Sequence, residues 1–145
     1  MFLLTDKPLE TLDLRTPLQD QRAGAYVAFE GWVRDHNDGR SVRSLQYEAY
    51  EALTISEADT LIEQTLDRFD VLRVCVVHRV GHLELGDMAV YVGVSSAHRQ
   101  AAFAAGQFLM DQIKLRLAIW KKEFYADGTS KWTHCSGCGK HPVGQ

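Results

Sequence analysis

Two stretches of helical hydrophobic spacing, each preceded by two β-type segments, constrain the fold of this chain more than any other feature of its sequence. In the first stretch, apolar residues recur every three or four positions from Ile55 to Phe69, the spacing of a helix with one face on a core. Thr54 and Glu57 match a capping box at its start. The sequence therefore predicts a helix over about 55–69.

The second stretch is longer and predicts a second amphipathic helix. It begins after Ser95-Ser96 and runs to about Leu117. An apolar stripe at helical spacing is expected to serve the core rather than a cofactor. The residues assigned to this stripe are Phe103, Gly106, Met110, Ile113 and Leu117.

The remaining segments have the period of two, or the β-branched composition, that is typical of strands. Residues 25–34 alternate between one face with Val27, Phe29 and Val33 and another with Tyr26, Glu30, Trp32 and Arg34. A turn ending in Asp38-Gly39 follows, and residues 42–50 are predicted to return beside the first strand as a hairpin. Further strands are predicted at 2–5, 72–80, 88–95 and 119–125, with Lys131-Trp132 pairing back. The order β-β-α-β-β-α-β predicts an α+β domain with a largely antiparallel sheet and two main helices.

Composition is typical of a soluble single domain. The 145 residues suit one domain, and the net charge of −3 argues against general binding to nucleic acid or anionic membranes. No apolar run approaches the roughly 20 residues that span a bilayer, and residues 1–10 lack a signal-peptide pattern. Three cysteines indicate a reducing compartment, so a cytoplasmic protein is expected.

Basic charge is concentrated between His98 and Lys122, where the chain has five basic residues and one acid, Asp111. His98 and Arg99 fall at the start of the second helix, where the helix dipole and unpaired N–H groups favour acids. Two cationic side chains at such a terminus predict a site for a small anion. The alternative is that they point to solvent or to nearby acids.

Lys114 falls near the end of the same helix, beside Ile113. Partial desolvation there would suit proton transfer or nucleophilic chemistry, although a lysine with its head in water shows the same pattern. Fifteen positions separate Lys114 from Arg99, which is about 22 Å along an unbroken helix. We expect a two-fold dimer to bring the start of one helix to the end of its mate; two separate sites are the alternative.

Two strands carry further candidate residues. Lys121 and Glu123 share a face of the strand over 119–125, and Lys122 lies opposite. Arg34 shares a face with Trp32 at a strand end, where an arginine suits a phosphate or a carboxylate. A surface salt bridge would explain Arg34 equally well.

The C-terminal segment 134–145 contains Cys135 and Cys138 in a C-x-x-C pattern, flanked by His134 and His141. Four such ligands could hold zinc, alone or across a dimer, but a structural site normally has two separated ligand pairs. We predict a single domain over 1–133. The Gly-rich segment that follows it is predicted to be a flexible Cys/His/Gly-containing tail. No metal is assigned, and Cys135 and Cys138 are the alternative ligands.

Five short motifs are more informative together than apart. In chain order they are GWVRDHN (31–37), VHRVG (77–81), GVSSAHR (93–99), AGQFLMD (105–111) and IWKKE (119–123). The ordered set resembles the large, catalytic subunit of molybdopterin synthase. That family's fold, an α/β-hammerhead type of α+β domain, matches the element order predicted above. Ala118 stands where the family commonly has proline.

The resemblance implies a sulfurtransferase of molybdenum cofactor biosynthesis. Family members transfer sulfur to cyclic pyranopterin monophosphate and so form the dithiolene of molybdopterin. The sulfur arrives as a thiocarboxylate on the C-terminal Gly-Gly of a ubiquitin-like small subunit. The implied assembly is a homodimer within a heterotetramer, and no cofactor, nucleic acid or membrane is implied.

Carried over by position, the resemblance makes Lys114 and Lys121 the catalytic residues. The implied substrate-binding residues are Trp32, Val33, Arg34, His98, Arg99, Lys114, Lys121, Lys122 and Glu123, with Arg34, His98 and Arg99 on the phosphate. Fixed cations in a partly dry site would stabilise both a phosphate and developing oxyanions. A non-catalytic scaffold for the ubiquitin-like partner and a zinc-dependent interaction module built on the tail are the alternatives.

Overall fold

Nine strands and two α-helices make up residues 1–134, the part of the chain that this computed structural model describes. The helices are α1 (Glu51–Arg68) and α2 (Arg99–Arg116). Short 3₁₀ turns at Leu9–Thr11 and Thr16–Leu18 lie between the first two strands. The strands are β1 (Phe2–Thr5), β2 (Ala25–Trp32), β3 (His36–Asn37), β4 (Arg40–Ala49), β5 (Arg73–Arg79), β6 (Gly81–Glu84), β7 (Met88–Ser96), β8 (Ile119–Tyr125) and β9 (Ser130–His134).

The strands form two sheets. The first has the order β1-β5-β7-β2, in which β1 runs parallel to β5 and the other neighbours are antiparallel. The second centres on β4, which pairs with β6 and β8; β9 continues the sheet beyond β8. This largely antiparallel arrangement with two main helices confirms the predicted α+β class. No helix within residues 1–134 is long and apolar enough to cross a membrane.

Helix α2 packs on the first sheet through a line of small and aliphatic side chains. The buried residues of α2 are Ala102, Ala105, Leu109 and Ile113, and they share a core cluster with Val92 and Val94 of β7. The predicted stripe is therefore wrong in part, since Phe103 is 62% exposed and Gly106 and Met110 are only half-buried. Alanine side chains permit a closer approach of helix to sheet, so the neighbouring line of the helix faces the core.

The predicted hairpin between the segments 25–34 and 42–50 does not form. β2 pairs with β7 in the first sheet, whereas β4 lies in the second. The Asp38-Gly39 turn instead closes the short β3–β4 hairpin, and both residues have the positive φ that such a turn requires (49° and 77°). The segment from Trp32 to Arg40 thus connects the two sheets.

β2 is an edge strand, and this changes the predicted pattern of its faces. Val27 packs against the core and Val33 is buried, but Phe29 is exposed. The register also shifts between Gly31 and Trp32, so a simple alternation does not continue to Arg34. An edge strand is covered less completely than a central one, which explains the exposure of Phe29.

Helix α1 begins at Glu51, with Tyr50 at its N-cap, and the predicted capping box is wrong. Thr54 lies inside the first turn, fully buried, and its hydroxyl donates to the Ala118 carbonyl oxygen at 3.2 Å. The same carbonyl accepts the Tyr50 N–H at 3.1 Å. Thr54 therefore joins α1 to the corner between α2 and β8 and does not cap its own helix.

Replacing Thr54 by Val keeps the side-chain shape and removes one donor to a buried carbonyl. We expect the free energy of unfolding to fall by about 1 kcal/mol, measured by urea denaturation. Thr60→Val is the matched control, because the exposed Thr60 hydroxyl bonds only within α1, to the Ser56 carbonyl. Equal losses for the two variants would contradict the assigned role of Thr54.

Candidate active site

A small cavity of about 100 Å³ opens where the segment after β2 meets β4 and β8. Strand β8 turns Lys121 and Glu123 to the same side, and its register places them opposite Tyr47 and Leu45 of β4. Side chains opposite each other in a sheet share a face, so these four form one wall of the cavity. Five residues predicted to bind substrate line it: Trp32, Val33, Arg34, Lys121 and Glu123.

The backbone of Val33 fixes the opposite wall of the cavity. Its N–H donates to the Asp87 carbonyl at 3.0 Å, and its own carbonyl accepts the Gly86 N–H at 2.8 Å. The Val33 side chain is buried, whereas Trp32 and Arg34 on either side are exposed. This anchoring holds Arg34 at the cavity while leaving its guanidinium accessible.

Glu123 is the centre of the hydrogen bonding in the cavity. Its side chain is 4% exposed, and a carboxylate buried to this degree requires donors. Asn37 Nδ2 contacts both carboxylate oxygens (3.1 and 2.9 Å), and the Tyr125 hydroxyl donates to Oε1 at 3.0 Å. Lys121 Nζ lies 3.7 Å from Oε2.

Asn37 also connects this network to Arg34, whose Nη2 donates to Asn37 Oδ1 at 3.2 Å. Arg34 and Lys121 thus bring two cationic groups to one cavity, with a buried carboxylate beside them. Such an arrangement can bind an anion and can supply a proton from the lysine ammonium to a nearby reacting atom.

Lys122 lies on the opposite face of β8, as its position in the strand predicts. Its Nζ lies over the rings of Phe124 and Trp132, 5.3 and 5.8 Å from their centroids. These cation–π contacts hold the ammonium on the outer face of the sheet. The structure therefore separates Lys122 from the cavity that contains Lys121.

The basic residues of α2 lie outside this cavity in a single subunit. His98 is the N-cap and Arg99 the first helical residue; both are exposed, and the first turn contains no acid. Lys114 is exposed in the last turn. Because α2 is unbroken, Arg99 and Lys114 are about 22 Å apart along its axis, and one small ligand cannot span them.

Asn37 and Tyr125 contact Glu123 but received no role from the sequence. The alternation of β8 places Tyr125 on the same side as Lys121 and Glu123, so strand periodicity alone could have identified it. Asn37 stands within the GWVRDHN motif, yet its bond to Glu123 joins positions 86 residues apart. No local pattern predicts such a contact.

A larger cavity of about 230 Å³ lies beside Tyr26 and Ser95. None of the predicted site residues lines it. Its acidic group, Asp20, forms ion pairs with Arg22 and Arg73, and the hydrogen bonds from Arg22 hold the pKa of Asp20 well below its usual range. The smaller cavity, which combines cations with a buried carboxylate, is therefore the candidate active site.

No group of three or more metal-ligating side chains comes together within the described chain up to residue 134. Cys75 is buried in the first sheet, and burial raises the pKa of its thiol. Cys135 and Cys138, the alternative zinc ligands, lie outside the described residues.

Comparison with known proteins identifies the family. The family described as MoaE protein matches residues 4–116, which is most of the chain. This chain belongs to the MoaE family. Its relatives include molybdopterin synthase catalytic subunits, which confirms the resemblance seen in the five motifs.

Individual members of the MoaE family are similar over most of their length. A molybdopterin synthase catalytic subunit of Thermoplasma volcanium is 38% identical over 129 residues, covering 89% of this chain and 94% of that protein. One of Escherichia coli is 45% identical over 109 residues, covering 75% and 72%. The crystal structure of molybdopterin synthase from Staphylococcus aureus superposes with a TM-score of 0.85 at 32% identity, covering 91% and 96%.

His78 lies beneath the cavity wall and supports Tyr47, which it meets edge to face with ring centroids 5.0 Å apart. Burial lowers the pKa of His78 to about 4 from 6.5. As the pH falls, His78 takes up a proton in the unfolded chain near pH 6.5, before it does so in the folded chain. The contribution of neutral His78 to the free energy of unfolding is therefore fully present above about pH 6.5 and is lost as the pH falls through 4.

We expect the free energy of unfolding to fall between pH 7 and pH 4 by up to about 3 kcal/mol more in the native protein than in His78→Gln, which lacks this titration. Urea denaturation at several pH values measures the difference. Parallel pH dependences for the two proteins would show that His78 does not titrate in this way.

Proposed function

We propose that this chain is the catalytic subunit of a molybdopterin synthase and acts as a sulfurtransferase. It transfers sulfur from the C-terminal Gly-Gly thiocarboxylate of a ubiquitin-like small subunit to cyclic pyranopterin monophosphate, forming the molybdopterin dithiolene. The observation that carries the proposal is the cavity in which Arg34 and Lys121 accompany the buried Glu123, in a chain of the MoaE family. The names of its relatives support the same activity.

Lys121 supplies the acid–base chemistry within the cavity. The thiocarboxylate sulfur bonds to a pterin carbon and displaces an oxygen there; water then attacks the resulting thioester carbon, so that the small subunit leaves as a carboxylate and the sulfur stays on the pterin. The attack of water develops negative charge on the thioester oxygen, and a fixed ammonium in a poorly hydrated site stabilises that charge. The same ammonium can donate a proton to the leaving group and recover it later. Lys114, in the last turn of α2 and one short corner before β8, is the main catalytic lysine in this proposal.

Arg34, His98 and Arg99 bind the substrate phosphate, with Trp32, Val33 and Glu123 as the other binding residues. Lys122, on the outer face of β8, stays outside this set. Since α2 holds Arg99 away from Lys114, the complete site takes the α2 start from a second copy of the chain. The proposed assembly is a homodimer carrying one small subunit at each end. The single domain over 1–133, a cytoplasmic location and the lack of a resident cofactor belong to the same proposal.

The first test is turnover with the purified chain, a thiocarboxylated small subunit and cyclic pyranopterin monophosphate, with product read as its fluorescent oxidised derivative. We expect Lys114→Ala and Lys121→Ala to lower the rate by about 100-fold or more, the usual contribution of a general acid or base. Lys7→Ala is the control, because Lys7 is exposed in the loop after β1. Binding of the small subunit without any product formation would favour the scaffold function.

A mixed-dimer experiment tests the shared site. Arg99→Ala and Lys114→Ala chains are each expected to be nearly inactive, since every site of such a dimer lacks one group. When the two are mixed and allowed to exchange, each mixed dimer contains one intact site and one doubly altered site. Recovered turnover supports the shared site, and no recovery after demonstrated exchange shows that each site is built from one chain.

A further inference from the structure

The buried carboxylate of Glu123 is held by two residues to which the proposed function assigns nothing. Asn37 reaches it from β3 and donates through one amide nitrogen to both oxygens. Tyr125 reaches it from its own strand, two residues further on, and donates to Oε1. Hydrogen bonds from two directions fix both the position and the rotation of a carboxylate.

Asn37 makes contacts at both ends of its amide. Its nitrogen is used by Glu123, while its oxygen accepts from Arg34 Nη2. An amide oriented this way has its donor and its acceptor both engaged. Asn37 therefore fixes the distance between the Arg34 guanidinium and the Glu123 carboxylate.

Tyr125 is itself firmly held. It is buried, and the guanidinium carbon of Arg40 lies 3.6 Å from its ring centroid. Arg40 is in turn bonded to Thr129 at 2.8 Å and paired with Asp127 in the turn before β9. Burial, followed by the bond to Glu123, raises the pKa of the Tyr125 phenol, so its hydroxyl remains a donor at neutral pH.

The distance from Glu123 to Lys121 shows what this arrangement achieves. At 3.7 Å the ammonium is held by charge, since a charge-assisted hydrogen bond would be about 2.7–2.9 Å long. Oε1 accepts from Asn37 and Tyr125 and Oε2 accepts from Asn37, so the orientation of the carboxylate does not depend on a bond from Lys121. The N–H donors of Lys121 can therefore point into the cavity without losing their counter-charge.

We propose that Asn37 and Tyr125 are positioning residues for the sulfur-transfer reaction, which orient Glu123 so that Lys121 presents its ammonium to the substrate. Asn37 additionally sets the position of Arg34. This inference rests on the proposed function and adds two residues to it. Both act through Glu123 and not by contact with the reacting atoms.

Turnover kinetics of the assembled enzyme separate the two roles. Tyr125→Phe is expected to lower kcat by about 10-fold or more, the loss of one hydrogen bond to a charged group, with the KM for the pterin changed less than about twofold. Asn37→Ala is expected to lower kcat similarly and also to raise KM several-fold, because Arg34 loses its partner. Tyr91→Phe is the control, since it removes a buried hydroxyl of the first sheet, which bonds to the Leu14 carbonyl and the Tyr26 hydroxyl and does not line the cavity.

Unfolding measurements test the same contacts without any activity. Tyr125→Phe, Asn37→Ala and Glu123→Ala are each expected to lower the urea midpoint. When Tyr125→Phe or Asn37→Ala is combined with Glu123→Ala, the midpoint should fall little below that of Glu123→Ala alone, because the contact is already absent. Tyr91→Phe should instead add its full effect to that of Glu123→Ala.

The outcomes distinguish the inference from the function. If the native enzyme turns over and both variants match Tyr91→Phe in kcat and KM, the positioning roles are wrong and the function stands. If the native chain makes no product, the proposed function is wrong. If the effects of the substitutions on the urea midpoint are additive with that of Glu123→Ala, the contacts of Asn37 and Tyr125 with Glu123 are wrong as well. Non-additive midpoints together with the KM difference between the two variants support the inference in full.

Discussion

A single buried carboxylate, that of Glu123, determines how the candidate site is arranged. Leaving such a charge without partners would cost several kcal/mol, so donors must converge on it from wherever the fold can supply them. Here they come from β8 itself and from the short β3 strand just before the Asp38-Gly39 turn. The requirement to satisfy Glu123 therefore also fixes Asn37, and through Asn37 it fixes Arg34.

Strand β8, which carries Glu123 near its end, is held at its start by hydrogen bonds between uncharged groups. The Ala118 carbonyl, just before β8, accepts from the buried Thr54 hydroxyl and from the Tyr50 N–H. Helix α1 thus fixes the corner at which α2 ends and β8 begins. Lys114 and Lys121 lie on the two sides of that corner, so the packing of α1 against it also determines where the two lysines lie.

The sequence predicts features of this site that depend on near neighbours and misses those that depend on distant ones. The bounds of β8 and the shared face of Lys121 and Glu123 follow from a period of two and are confirmed. The predicted hairpin of the segments 25–34 and 42–50 is wrong because each of the two strands pairs with a strand far along the chain, β2 with β7 and β4 with β8. The Thr54 cap is wrong because a buried carbonyl 64 residues away takes its hydroxyl. The contact of Asn37 with Glu123 has the same long-range origin.

The size of the cavity bears on what the chain does when alone. At about 100 Å³ it is well below the roughly 300 Å³ at which pockets for small organic ligands begin. Its mouth is open beside Trp32, which is 67% exposed, and His98 and Arg99 at the start of α2 do not line it. On the proposed function, other polypeptides supply the further walls and cations that a pterin phosphate needs. In the proposed assembly, a two-fold copy brings His98 and Arg99, and the C-terminal Gly-Gly segment of the small subunit closes the cavity.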